Sequence, residues 1–261
     1  MAEQVLSTQM PDKVIKYIER HKKPTRQWHT FNFITVLVLA ITGIFLFTPI
    51  GSTLLNTQVL LIGKILHRVF AVLFIINWIV WVMREPDTGW LASLKHIFAP
   101  WNENDRKFMA SFFGYMWSPK AGHMPRQDFV KSGQRVSDFF MYFILLMFIV
   151  TGLVLWIGPQ RGIPQGLWNF FKMGHDICFM GWLILMVFHV YLGGGLFPAY
   201  GKQAAFWMFG SGYVTEDDGL YHWGKWAEDE LEDGRNVLEI PYGVKPQRVI
   251  EQEEYKKWVR I

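Results

Sequence analysis

The stretch HDICFMGWLILMVFH, residues 175–189, places a histidine at each end of a run of thirteen mostly apolar residues. As a helix rising about 1.5 Å per residue, it holds the two imidazoles roughly 21 Å apart along its axis. Fourteen steps of about 100° end only about 40° short of four full turns, so both rings point to nearly the same side. A segment apolar enough to cross a bilayer thus presents imidazole near both of its surfaces. Such side chains inside a spanning helix are rare and usually functional. The spacing implies two metal-binding positions on one helix, whose partners must come from the rest of the chain.

The chain of 261 residues is 51% hydrophobic and 17% aromatic, with 13 Trp and 22 Phe, an aromatic weight that suits membrane interfaces better than a soluble domain. Its mean hydropathy is only slightly positive, so the apolar residues must be gathered in blocks. The net charge of +4 does not indicate a nucleic-acid partner, because the basic residues cluster at the ends of those blocks, as beside a bilayer. The single cysteine, Cys178, excludes an intrachain disulfide, a CxxCH haem attachment and a cysteine-ligated iron–sulfur cluster. The polar start, MAEQVLSTQMPDKVIKYIERHKKPTRQWH, has no apolar core of a secretory signal, so insertion is expected to follow from the first spanning helix.

Four apolar segments emerge, at roughly 29–49 (ended by Pro49), 59–83, 136–157 and 168–196, each about long enough for a hydrocarbon core of around 30 Å. Segments one and three are apolar almost all round, unlike the helices of a soluble bundle. Lys and Arg crowd the flank before segment one (Lys13, Lys16, Arg20, Lys22, Lys23, Arg26) and the connection between segments two and three. The connection 50–58 has none and 158–167 has only Arg161. Positive residues stay inside, so both termini and the loop 84–134 are expected to be cytoplasmic. The expected organisation is a cytoplasmic segment 1–28, a four-helix membrane domain 29–197 and a cytoplasmic tail 198–261. The loop, with Pro86, Pro100, Pro119 and Pro125, reads as partly structured at best. The tail's acidic patch AEDELEDGRNVLEI reads as a solvated amphipathic segment.

Topology sorts the histidines by depth. His67 and His175 fall in the outer half, and His29 and His189 near the cytoplasmic face, so each pair joins segment four to a different neighbour. Two bis-histidine sites stacked in a four-helix bundle is how two b haems would be held. The expected fold is therefore all-α and integral to the membrane. Gly43, fourteen residues after His29, lies on a similar face at the depth of the outer site, where a glycine gives a flat ligand room; small residues also serve plain helix packing. Arg68, Lys64 and Lys172 either pair with haem propionates or snorkel to the interface. Two histidines per site, with no third protein ligand at that depth, are poor for zinc. His21, His96 and His123 read as solvated. A rival class with the same histidines is a membrane transporter that relays protons through them. It would be colourless.

The chain resembles the cytochrome b (gamma) subunit of membrane-bound respiratory formate dehydrogenases and, more distantly, the cytochrome b of nickel–iron hydrogenases. The resemblance runs over most of 20–230. It rests on Arg26 three residues before His29, GKILHRVFA around His67 and SGQR (132–135) opening segment three. The fourteen-residue histidine spacing, HVYLG after it, and the tail GYVTEDDGLYHWGKW with His222 and Trp226 complete it. The histidine set is common to both families; SGQR, similar to an NxGQK pattern, and the tail favour formate dehydrogenase. The resemblance implies a bacterial or archaeal inner-membrane subunit of a respiratory chain. Electrons would come from an iron–sulfur subunit, itself served by a molybdenum or tungsten formate dehydrogenase subunit. They would pass through the outer haem (His67, His175) and the inner one (His29, His189) to menaquinone or ubiquinone. It places quinone at Lys131, Gly133 and Gln134, with substrate chemistry on the partner. Two departures touch that site's surroundings: Lys131 replaces the pattern's asparagine, and Thr30 stands where the family usually has Trp.

Overall fold

A computed structural model describes residues 14–47, 53, 55–85, 90–117, 125–194, 196, 204–244, 247 and 249–252. Pro49, Pro86, Pro119, His123 and Pro198 lie outside these. The chain divides into two compact units, one of residues 24–100 and 133–196, the other of residues 1–23, 101–132 and 197–261.

The first unit is built on four long apolar helices: α1 (Lys23–Leu46), α2 (Thr57–Arg84), α5 (Ser132–Ile157) and α6 (Gln165–Gly193). All four are long and apolar enough to cross a membrane. Each starts earlier than its apolar run, because the first turn of a helix tolerates polar residues whose amides need no intrahelical acceptor. Asn56 caps α2, its side chain accepting from the Val59 N–H at 3.0 Å. A short 3₁₀ turn (Gly158–Arg161) and Gly162, with φ of 68°, reverse the chain between α5 and α6. That left-handed backbone is one glycine adopts without strain.

Large apolar side chains face outward along these helices, among them Leu61, Ile177 and Val187. In water so much exposed apolar surface would drive aggregation; in hydrocarbon it is the favourable arrangement. Polar groups turn inward or back on the helix. Thr35 and Thr42 on α1 donate to backbone carbonyls one turn earlier, Thr42 to Val38 at 2.7 Å. At one end α1 and α2 are joined by aromatic and amide contacts: Trp28 stacks on Trp81 at 3.8 Å between ring centres, the Asn77 amide donates to the Trp28 carbonyl, and the Trp78 indole donates to Asn32. The loop after α2 is more ordered than its prolines suggested, carrying helix α3 (Trp90–Phe98) in this unit. Arg135 Nη2 donates to the Ala99 carbonyl at the end of that helix.

The second unit is mixed. The chain is mostly helical, as expected, but a three-stranded antiparallel sheet of order β2-β1-β3 is added to it. Its centre is β1 (Val14–Glu19), flanked by β2 (Tyr213–Thr215) and β3 (Val237–Pro241). Helix α4 (Glu103–Trp117) and the one-and-a-half-turn α7 (Ala204–Phe209) also belong here. Asn102 and Asp105 cap α4 reciprocally, each side chain accepting the other's backbone N–H at 2.9 Å. Helix α8 (Glu216–Asp233), capped by Thr215, buries Trp223, Trp226 and Ala227 with Ile18, Val214 and Trp207. The acidic patch of the tail is thus half core: Ala227 is fully buried and Leu231 packs against the same cluster, leaving its carboxylates on the outer face.

Candidate functional site

The four histidines meet in the two pairs that depth assigns. The His67 and His175 ring centres are 6.4 Å apart, and those of His29 and His189 are 6.2 Å apart. An imidazole nitrogen binds a metal at about 2.0 Å and lies about 1.1 Å from its ring centre, so two rings on opposite sides of one metal stand about 6.2 Å apart. Both separations match that value. Ordinary ring contacts in this chain also fall near 6 Å, Trp28–His29 at 6.3 Å among them; what singles out these two pairs is that both partners are histidines, on different helices and at two depths of α6. The pairs differ in twist, with interplanar angles of 65° for His67–His175 and 31° for His29–His189.

Each ring has a local reason for its place. His67 lies ten residues into α2, opposite Thr42 near the end of α1, and its Nδ1 is 2.8 Å from the Thr42 hydroxyl. His175, ten residues into α6, bears the same relation to Thr151 of α5, again at 2.8 Å. The glycine after each threonine leaves room for the ring. A Cβ on Gly43 would stand 3.6 Å from His67 Cε1, and one on Gly152 would stand 3.6 Å from His175 Cε1. Gly43 therefore does sit at the His67–His175 site, where the sequence placed it, although what it faces is the imidazole edge. Thr151 is held from the other side by Gly174, whose absent Cβ would touch its methyl at 3.6 Å. Phe148 packs edge-on against His175 at 5.0 Å. Thr42, Thr151 and Gly152 were missed by sequence reasoning, yet a signal existed: the dipeptide Thr-Gly occurs once in α1 and once in α5, each 24 or 25 residues before a histidine of this pair.

The His29–His189 pair lies at the other end of α6. Trp28 is in edge contact with the His29 ring at 6.3 Å and belongs to the Trp28–Trp78–Trp81 cluster, which fixes the start of α1 against α2. Thr30, next to His29, donates its hydroxyl to the Arg26 carbonyl.

The basic residues near the first pair are already engaged. Lys172 forms an ion pair with Asp176 at 2.7 Å and lies over the Phe47 ring, and Arg68 lies over Trp156. Lys64 is exposed. Of the three residues assigned to quinone, Gly133 and Gln134 are in the first turn of α5, and the Gln134 side chain hydrogen-bonds Asp138 one turn on. Lys131 belongs to the mixed unit, buried with its ammonium 4.4 Å from the Trp223 ring centre. Burial, and then the Arg20 charge, hold that ammonium well below the ordinary lysine range. His222 is buried among Trp207, Tyr221 and Trp223, as a core residue would be, while His96 is exposed and His21 half-buried.

The residues present fit a flat, hexacoordinate metal group better than a bare ion. Each pair offers two imidazoles, two short of the four ligands zinc takes, whereas a porphyrin supplies four of its own. The family model described as prokaryotic cytochrome b561 matches residues 20–211, most of the chain. No curated protein is similar enough to the chain to be matched with it.

Proposed function

Because the chain belongs to the prokaryotic cytochrome b561 family, a family of multi-pass haem b proteins, we propose that its two histidine pairs hold two b haems and that it carries electrons across the membrane to quinone. The observation that supports this best is that the four histidines meet as two pairs, with ring centres 6.4 and 6.2 Å apart, which leaves room for one metal between the imidazoles of each. When bound, such a group supplies a reversible one-electron couple with no coordination position left for oxygen. The protein's own residues do the rest. The apolar helices exclude water, and α6 sets the two sites about 21 Å apart along its axis. Neutral imidazoles of His67 and His175, and of His29 and His189, would hold each group without adding charge to the hydrocarbon.

Lysine and arginine placement supports cytoplasmic termini and a cytoplasmic loop 84–134, which would make His67–His175 the outer site and His29–His189 the inner one. Reporter fusions at the C-terminus should read cytoplasmic and fusions within 52–57 external. An external C-terminus would reverse the two sites.

Quinone would bind by the inner site, at the start of α5. The first-turn amides there lack intrahelical acceptors, and Gly133 lets a ligand approach the backbone. The Gln134 amide has two donors, so it can bond Asp138 and still donate to a quinone carbonyl. Gly133→Leu should leave both haems in place and reducible by the partner, and should slow their reoxidation by quinone tenfold or more. Reoxidation at the parental rate would place the pocket elsewhere.

The partner would be an iron–sulfur subunit together with the catalytic subunit of a formate dehydrogenase, on the strength of SGQR and of the tail around His222 and Trp226. A second reading is a nickel–iron hydrogenase, favoured by the matched family's short title, which refers to a nickel hydrogenase cytochrome b. The subunits that copurify with the tagged chain decide between them: a molybdenum or tungsten protein supports the first, a nickel protein the second.

A further inference from the structure

We infer that Thr42 and Thr151 are positioning residues for the outer site, holding both of its axial imidazoles in one tautomer and lowering the reduction potential of the haem between them. This rests on the two-haem reading. Each threonine has one hydroxyl proton, and the helix backbone takes it. Thr42 Oγ1 donates to the Val38 carbonyl at 2.7 Å, and Thr151 Oγ1 to the Met147 carbonyl at 2.5 Å. With its proton spent, each oxygen can only accept from the histidine nitrogen 2.8 Å away. His67 and His175 therefore carry their proton on Nδ1 and keep the Nε2 lone pair for a metal.

The back-bond to the preceding turn is ordinary for a threonine in an apolar helix. Thr35 of the same helix makes it, to Phe31 and Asn32, beside no histidine. What ordinary helix chemistry does not supply is the second bond, made to a histidine and made twice. It recurs on α1 and α5 at the same distance, with a glycine next in sequence that opens the same 3.6 Å approach to the ring. An Nδ1–H that donates to an oxygen pushes electron density toward Nε2 and makes the imidazole a stronger donor. Stronger axial donors favour the ferric over the ferrous state, so the potential falls, and hydrogen bonding of this kind is one of the levers a protein has on a haem. Lowering the outer haem makes electron passage from it to the inner one more favourable.

The test is a spectroelectrochemical titration of the purified holoprotein, with haem counted first. Thr42→Val and Thr151→Val keep the shape and remove the acceptor. Each should raise the midpoint of the haem that His67→Ala removes, leave the other midpoint unchanged, and add in the double variant; Thr42→Ser and Thr151→Ser should restore the parental value. Loss of the outer haem in the valine variants but not in the serine variants also supports the inference, since only the hydroxyl distinguishes them. Unchanged midpoints with two haems retained would overturn it and leave the two-haem reading standing. Loss of haem in valine and serine variants alike would overturn it in favour of plain packing. A parental chain without two haems overturns the inference and the reading together.

Discussion

Replacing His67 or His175 by alanine should remove one of two haems from the purified protein, and replacing His29 or His189 should remove the other. That is the largest single-residue effect expected, because each site has only two protein ligands and each variant deletes half of them. The single imidazole left at that site would not hold the group through purification. The depleted species should be the same for His67→Ala and His175→Ala, and the other for His29→Ala and His189→Ala. Electron paramagnetic resonance gives an independent label, since histidine pairs twisted by 65° and 31° would give two different ferric signals. Depletion of one and the same species by His29→Ala and His175→Ala would show the pairing to be wrong.

The second large effect is expected far from the haems, at Arg20. Its side chain is buried, with the guanidinium carbon 3.7 Å from the Phe129 ring centre, 4.6 Å from Trp223 and 5.0 Å from Trp226. Its Nη2 donates to the Phe129 carbonyl at 2.6 Å. A desolvated cation over an aromatic face contributes about 2 kcal/mol, and a hydrogen bond from a charged group roughly 1.5–3 kcal/mol. Arg20→Ala loses both and leaves an aromatic cage unfilled, so the mixed unit should lose on the order of 3 kcal/mol or more. Amides of β1 and β3 should then exchange with solvent about a hundredfold faster, since each 1.4 kcal/mol is a factor of ten. Unaltered exchange in that sheet would show that Arg20 carries little of its stability.

The membrane helices and the histidine pairs were legible because the signals are local and strong. Four runs of about twenty apolar residues each define a span, basic flanks orient them, and depth follows from position along each run. The structure adds that the ring centres of each pair come within 6.4 Å of one another, which depth alone did not require. The mixed unit was not legible. Its central strand, Val14–Glu19, pairs with strands about two hundred residues later, and a pairing so distant leaves no mark on the local pattern of either partner. The tail's acidic patch misled for a related reason. Its carboxylates outnumber its apolar residues, yet Ala227 is buried and Leu231, four residues on, packs against the same cluster. Thr42 and Thr151 escaped because a threonine in an apolar helix is usually explained by its own backbone; only their nearness to His67 and His175 gives them a second role.

The central claim is that one chain holds two b haems between two pairs of histidines. A pyridine haemochrome assay against quantified protein tests it most directly. Two non-covalent b haems per chain, both low-spin and six-coordinate, are expected; one haem per chain, or none, would rule out the two-site reading.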